Sequence, residues 1–307
     1  MSDFGIPTAH AISIGSLNYD IFLETDTVPI EGISLTAHGA YFDAGGKAEN
    51  QAIQLARLGM ETHLVGHVGK DAVGEYLVGR AREAGVLTEH VTCVDAPSGV
   101  GVTFKLPGGL VAGAANPGAN GRVTVADVEA AADLFQPESF VVLQMEVPLE
   151  VNERAIRLAR ACGCTVIMNT APALPYPDEL LGACDVLVFN EHEAAFYAGC
   201  TIDSPEVARE QVAALAGRYE AACVITLGEQ GCVASFGGQL LEQPALRVPV
   251  ASALGAGDSF VGGLTYALAS GMTPAEALAF ATRCSAVTIQ SMGASEGMPS
   301  LAQVAQP

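Results

Sequence analysis

A chain of 307 residues, 50% of them hydrophobic, can bury a large core, which fits one large α/β domain and argues against disorder. Its formal net charge of −20 excludes nucleic acid and anionic membrane surfaces as partners, because such polyanions are bound by basic patches. An acidic chain can still hold a nucleotide where helix N-termini and backbone N–H groups supply a local positive potential.

Met1–His10 shows no basic region leading into an apolar core, and no apolar run reaches the roughly 20 residues of a membrane span, so a cytoplasmic protein is expected. Short apolar runs then alternate with amphipathic stretches. Strands are expected at Ala11–Gly15, Thr62–Val68, Phe140–Met145, Thr165–Asn169, Asp185–Asn190, Cys223–Leu227 and Cys232–Phe236. Helices are expected at Gly46–Leu58, Ala72–Ala84, Ala126–Leu134, Leu149–Ala161, Pro205–Tyr219, Gly257–Ser270 and Pro274–Ser291. This alternation predicts an α/β fold with a central, mainly parallel sheet flanked by helices on both faces. Residues 19–42 and 98–115 break the rhythm with β-type patches and turn glycines, as expected of a small β-lid on a single domain spanning 1–307. Among the cysteines Cys162 and Cys164 form the closest pair and no Cys-x-x-Cys occurs, so reduced thiols packed in the core are expected rather than a zinc or redox site.

The chemistry concentrates in Pro249–Phe260, PVASALGAGDSF. Gly255, Ala256 and Gly257 let the backbone turn tightly into a helix with its first N–H groups facing outward, which makes an anion site. Asp258 has two readings of equal standing on local sequence: an acid stabilising its own helix, or a base accepting the proton of a hydroxyl that attacks phosphorus. Two other glycine motifs fail on spacing. A P-loop would need Gly where Tyr41 stands and Ser or Thr where Ala48 stands, and after the first strand Gly15 is followed by Leu17 and Asn18 rather than by spaced glycines.

Further elements stand in order: Gly15-Ser16-Leu17-Asn18-Tyr19-Asp20, Gly45-Gly46-Lys47-Ala48-Glu49-Asn50-Gln51, Gln144-Met145-Glu146, Asn190-Glu191-His192-Glu193 and Thr226-Leu227-Gly228-Glu229-Gln230-Gly231. With the GAGD segment, this series resembles the ribokinase-like (PfkB) carbohydrate kinases over nearly the whole chain. The resemblance implies an ATP-dependent sugar kinase, with ribose or a related pentose or deoxysugar as acceptor, Asp258 as base and residues 255–257 as the anion hole. It places Asn18, Asp20, Gly45, Gly46, Lys47, Asn50 and Glu146 around the sugar. It places Asn190, Thr226, Gly228, Gly231 and Thr282 on the nucleotide side, and Glu193 near Mg²⁺. Each residue also has a plainer reading: Lys47 and Asp20 as solvated charges, Gly45-Gly46 and the Gly228–Gly231 stretch as turns, Glu193 as a first-turn helix acid. A homodimer through lid edges, small-molecule sugar and ATP as partners, and a nucleoside kinase or a catalytically silent sugar-binding protein as rivals, complete the expectations.

Two departures from the family pattern stand out. Where relatives carry Asp-Thr before the GAGD segment this chain has Ser252-Ala253, and Gly297 stands where a ligating serine is expected, so activation by K⁺ is expected to be weak or absent. Ala48-Glu49 replaces Gly-Ala in the sugar element, and Glu49 is expected to favour the helix start and to place a carboxylate beside the sugar.

Overall fold

The computed structural model describes residues 7–107 and 111–304; positions 108–110 of the expected lid segment lie outside the described residues. In chain order the strands are β1 (Ala11–Ile14), β2 (Asn18–Glu24), β3 (Gly39–Gly45), β4 (Thr62–Gly69), β5 (Leu87–Val94), β6 (Gly99–Lys105), β7 (Val111–Asn116), β8 (Phe140–Leu143), β9 (Thr165–Asn169), β10 (Val186–Asn190), β11 (Ala222–Thr226), β12 (Cys232–Phe236) and β13 (Gln239–Gln243). The helices are α1 (Lys47–Arg57), α2 (Ala72–Glu83), α3 (Val125–Ala130), α4 (Leu149–Cys162), α5 (Asp178–Leu181), α6 (Glu191–Ala198), α7 (Pro205–Tyr219), α8 (Ala256–Ala269), α9 (Pro274–Thr288) and α10 (Leu301–Val304).

Nine strands form one sheet in the order β13-β12-β11-β10-β9-β8-β1-β4-β5, parallel from β5 to β11 and antiparallel at β12 and β13. Both faces are covered, which is why the strands read as continuous apolar runs. Val141 and Leu143 of β8 pack with Val151 and Ala155 of α4 and Val212 of α7. Val142 points the other way, into a core with Phe260 and Leu264 of α8 and Phe280 of α9. Helix starts follow local rules: Ser204 caps α7, Thr273 and Glu276 form a capping box on α9, and each is followed by proline at the first helical position.

The expected helix at Ala126–Leu134 is shorter: α3 ends at Ala130 and a 3₁₀ turn covers Ala132–Leu134. The sequence reading misses β5 and β13 because both are sheet edges with mostly half-exposed or exposed residues, so no apolar run marks them. Of the eight cysteines, Cys93 and Cys200 are exposed, which corrects the expectation that all the thiols lie in the core. No helix among the described residues is long and apolar enough to cross a membrane.

Strand order reverses between β1 and β8, since the chain moves outward from β1 to β4 and β5 on one side and from β8 to β11 on the other. Ligands in open α/β sheets lie at the carboxyl ends of strands at such a reversal. A second sheet, β3-β2-β6-β7, stands beside that place. Its β2 pairs antiparallel with β3 and parallel with β6, and β6 pairs antiparallel with β7. These strands cover 19–24, 39–42, 99–105 and 111–115 of the expected lid segments, while 25–38 carries no strand.

Candidate active site

At the reversal, the chain leaving β1 meets the chain leaving β8: Ser16 Oγ donates to Glu146 Oε2. The backbone N–H of Lys47, first residue of α1, donates to Ser16 Oγ at 3.0 Å and to Glu146 Oε2 at 3.3 Å. Gly46 makes this junction possible. Its φ is +90° and a Cβ there would lie 2.6 Å from the Ser16 carbonyl oxygen, so only glycine fits. Glu146, expected on the sugar, is therefore also tied to the start of α1.

Asp258 lies in the first turn of α8 and is 9% exposed. Both its oxygens are held by amides of α1: Asn50 Nδ2 donates to Oδ2 and Gln51 Nε2 to Oδ1, each at 2.9 Å. Asn50, expected among the sugar ligands, here turns its amide to Asp258. Gln51 is a site residue the sequence reading quotes without assigning, and it is itself oriented by Gln144 Nε2, which donates to Gln51 Oε1 at 2.6 Å. Burial pushes the Asp258 carboxyl up, while Lys47 and the two amides hold it down. Burial alone would lower the Lys47 ammonium, but Asp258, Glu146, Glu193 and Asp20 around it outweigh that and raise it, so it stays charged.

Asp20 on β2 faces the same place, and burial together with Glu146, Asp258 and Asp43 pushes its carboxyl up to about 7. Glycines leave it room. A Cβ at Gly45 would come 2.0 Å from Asp20 Oδ2, and one at Gly101 2.4 Å from Oδ1. Asn18 accepts through Oδ1 from Asn120 Nδ2 at 2.7 Å, and Asn120 Oδ1 also accepts the Leu17 N–H, so Asn120 is a second residue the motifs did not reveal.

Glu49 differs from expectation. It is completely buried and its two carboxylate oxygens have no hydrogen-bond partner among the described residues. It is absent from the lining of the cavity that Lys47 and Asp258 share. Burial, reinforced by Asp43 and Asp20, pushes its carboxyl well up, which favours the protonated form, and its complete burial keeps it from facing a ligand.

Two cavities meet over the start of α8. The smaller, about 150 Å³, is lined by Lys47, Asn190, Glu193, Thr226, Gly257 and Asp258 among others. The larger, about 820 Å³, is lined by Gly228 to Gly231, the segment Ala245–Val248, Thr282 and Ser285 of α9, and Ile289 just after it. Thr226 and Gly257 border both. A Cβ on Gly257 would meet nothing within 4 Å, so the space it would fill is open. The N–H of Ala256 is taken by the Ala253 carbonyl at 3.3 Å, which leaves those of Gly257 and Asp258 to face an anion. Arg247 is the one cationic side chain lining the larger cavity among the described residues, and no motif signalled it.

Asn190 and Glu193 are a structural pair that also borders the smaller cavity. They form a capping box at the start of α6, with Glu193 accepting the Asn190 N–H at 2.8 Å and Asn190 Nδ2 at 2.9 Å, while Glu193 also lines the smaller cavity.

The chain matches the pfkB family carbohydrate kinase model over residues 8–301. It is 33% identical to a ribokinase of Schizosaccharomyces pombe, across 95% of this chain and 96% of that protein. It is 30% identical to a deoxyribokinase of Salmonella typhi, across 94% of this chain and 95% of that protein. The structure of Arabidopsis thaliana ribokinase complexed with ribose and ATP superposes with a TM-score of 0.84 at 28% identity, covering 98% of each chain. The fold reversal, the buried Asp258 at a helix start and these likenesses agree: the chain belongs to the pfkB family of carbohydrate kinases.

Proposed function

We propose that the chain transfers the terminal phosphoryl group of ATP to a hydroxyl of a neutral pentose, ribose or deoxyribose, with Asp258 as the base. The observation that carries this reading is Asp258 itself, a buried carboxylate whose two oxygens are fixed by Asn50 and Gln51 where two cavities meet. Relatives of about this chain's length are ribokinases and deoxyribokinases, and one related structure holds ribose and ATP.

The nucleotide occupies the larger cavity, with its phosphates directed past Thr226 and Gly257 into the smaller one. The sugar lies against Asp20, Lys47 and Glu146. Asp20, Glu146, Glu193 and Asp258 act on Lys47, and this excess of carboxylates favours a neutral polyol over an acidic sugar or a sugar phosphate. Asp258 accepts the hydroxyl proton as the oxygen attacks, and the N–H groups of Gly257 and Asp258 receive the charge of the transferring group. The small sheet is the lid of a single kinase domain and closes over the sugar, excluding water.

No cluster of three or more ligating side chains exists among the described residues, and both Glu193 oxygens already accept hydrogen bonds. That donor set fits a Mg²⁺ ion carried by the phosphates and water, with Glu193 as an outer carboxylate; bound there, the ion neutralises phosphate charge. At the expected monovalent-cation site Ser252 offers a hydroxyl that already accepts the Leu254 N–H at 3.3 Å, and Gly297 has no side chain. Turnover should therefore be the same in Na⁺ and K⁺ at constant ionic strength, and a several-fold rise with K⁺ would refute this.

ADP release over a panel of pentoses, deoxysugars, hexoses and nucleosides should be fastest with ribose or deoxyribose. Asp258→Asn should bind sugar and nucleotide yet lose a factor of ~10² or more in kcat. Turnover within tenfold of the parent would remove Asp258 from the role of base.

A further inference from the structure

Strand β3 runs directly into the Gly45-Gly46-Lys47 turn, and its Asp43 stands opposite Asp20 in the β2–β3 register. Asp43 is 3% exposed, and its Oδ1 accepts from the hydroxyl of Ser295, a fully buried residue, at 3.1 Å. Two residues earlier on the same strand, Tyr41 Oη donates to Glu296 at 3.1 Å. The segment 293–297 lies hard against β3. A Cβ on Gly293 would come 2.2 Å from Tyr41 Oη and 2.6 Å from Asp43 Oδ2.

The opposite side of this segment reaches the anion site. A Cβ on Gly255, the residue that caps α8, would stand 2.9 Å from both Cα and Cβ of Ala294. Gly255 cannot shift toward that side unless Ala294 moves, because buried contacts of this density are not compressible. The segment is also stiffened from α1, where Arg57 Nη1 donates to the carbonyls of Ser295 and Met298, each at 2.7 Å, and to that of Glu296 at 3.2 Å. A continuous path of buried contacts thus joins the strand that carries the sugar-binding turn to the amides that face the phosphoryl group, bypassing both ligands.

We infer that Asp43 and Ser295 are positioning residues that couple the two halves of the site: filling the acceptor side fixes β3, and through Ser295 and Ala294 this sets Gly255 and the anion-binding amides after it. The inference rests on the reading above that the sugar lies against Asp20 and Lys47. A buried hydrogen bond suits the task, since away from water it is either made or broken. Linkage requires the effect to be reciprocal.

Calorimetry decides it. Binding of a non-hydrolysable ATP analogue with a methylene bridge between the β and γ phosphorus atoms is measured with and without saturating ribose, or whichever sugar of the panel turns over fastest. In the parent protein the sugar should tighten the analogue by ~5-fold or more. Ser295→Ala and Asp43→Ala should each bind sugar alone and analogue alone within ~2-fold of the parent, lose most of that tightening, and lose kcat in proportion. Asp43→Asn keeps the acceptor atom and should keep most of the coupling, an effect no general loosening of the fold would reproduce. Independent binding in the parent, or full tightening in either alanine variant, would overturn the inference. If one alanine variant does not fold, the other decides alone. Activity retained by Asp258→Asn refutes the reading of the site, whereas coupling retained by Ser295→Ala refutes only this inference.

Discussion

Glu49 shows how one residue can be visible in the sequence and still be misplaced by it. Its position in the first turn of α1 was plain from the Gly45–Gln51 motif, and a carboxylate there favours the helix dipole. What the spacing could not show is which side of the helix start it occupies: Lys47 faces the cavity, whereas Glu49 is sealed behind it. Burial raises its carboxyl well above the ordinary 4.5, so the folded chain holds this proton more tightly than the unfolded chain does. The folded form therefore binds the extra proton, and stability falls as pH rises above that value. Glu49→Met keeps the bulk without the acid and should stabilise the protein by ~1–3 kcal/mol near pH 8, and by less at pH 5. Urea unfolding at both pH values checks the sign; a gain no larger at pH 8 than at pH 5 contradicts it. Asp258 was legible as a first-turn acid of α8, and the order of the motifs set it beside the glycine-rich start of α1. Gln51 and Asn120 were not, since each acts through a contact distant in sequence, as in the 2.9 Å bond from Gln51 to Asp258, and Arg247 was not, since it borders the larger cavity from a segment without a motif.

Elements were legible where the apolar period was strong and hidden where it was not. The buried strands and the long helices follow their patterns, while α6 begins at Glu191, the residue after β10 ends, leaving no turn to mark it. That abrupt start makes the Asn190–Glu193 box an element-scale feature: it caps α6 and aims a carboxylate into the smaller cavity at once. The two roles separate by substitution. Glu193→Gln keeps an acceptor for the Asn190 N–H and should leave Tm nearly unchanged, whereas Glu193→Ala removes half of the box and should lower Tm by ~2–4 °C. Both should raise the Mg²⁺ concentration needed for half-maximal rate several-fold. Titrating Mg²⁺ against turnover, beside thermal unfolding of the same samples, tests the pair; an unchanged Mg²⁺ requirement in Glu193→Gln would leave Glu193 with the cap alone.

At the scale of the molecule, the alternation of apolar runs with amphipathic stretches correctly implied a two-faced α/β sheet but could not reveal where strand order reverses, since that depends on which strands pair across more than a hundred residues, as β1 and β8 do. The net charge of −20 acts at this scale too. Its field opposes the approach of an anionic nucleotide, and salt screens it, the Debye length falling from about 30 Å at 0.01 M to about 10 Å at 0.1 M. KM for Mg·ATP should therefore fall as inert salt is raised over that range, while KM for the neutral sugar stays level. Steady-state kinetics in both substrates measures this, and a nucleotide KM that rises with salt would show that local cations such as Arg247 outweigh the overall field.

Burial raises the carboxyl of Glu49, and in its protonated form that group is an intrinsic vibrational label. A protonated acid with no hydrogen-bond partner absorbs in the infrared apart from the ionised carboxylates that dominate an acidic chain, and Glu49 sits in the electrostatic reach of Asp43. Movement of β3 against the 293–297 segment would shift that band, so ligand-induced difference spectra could follow the acceptor side without any attached probe, with Glu49→Gln as the blank.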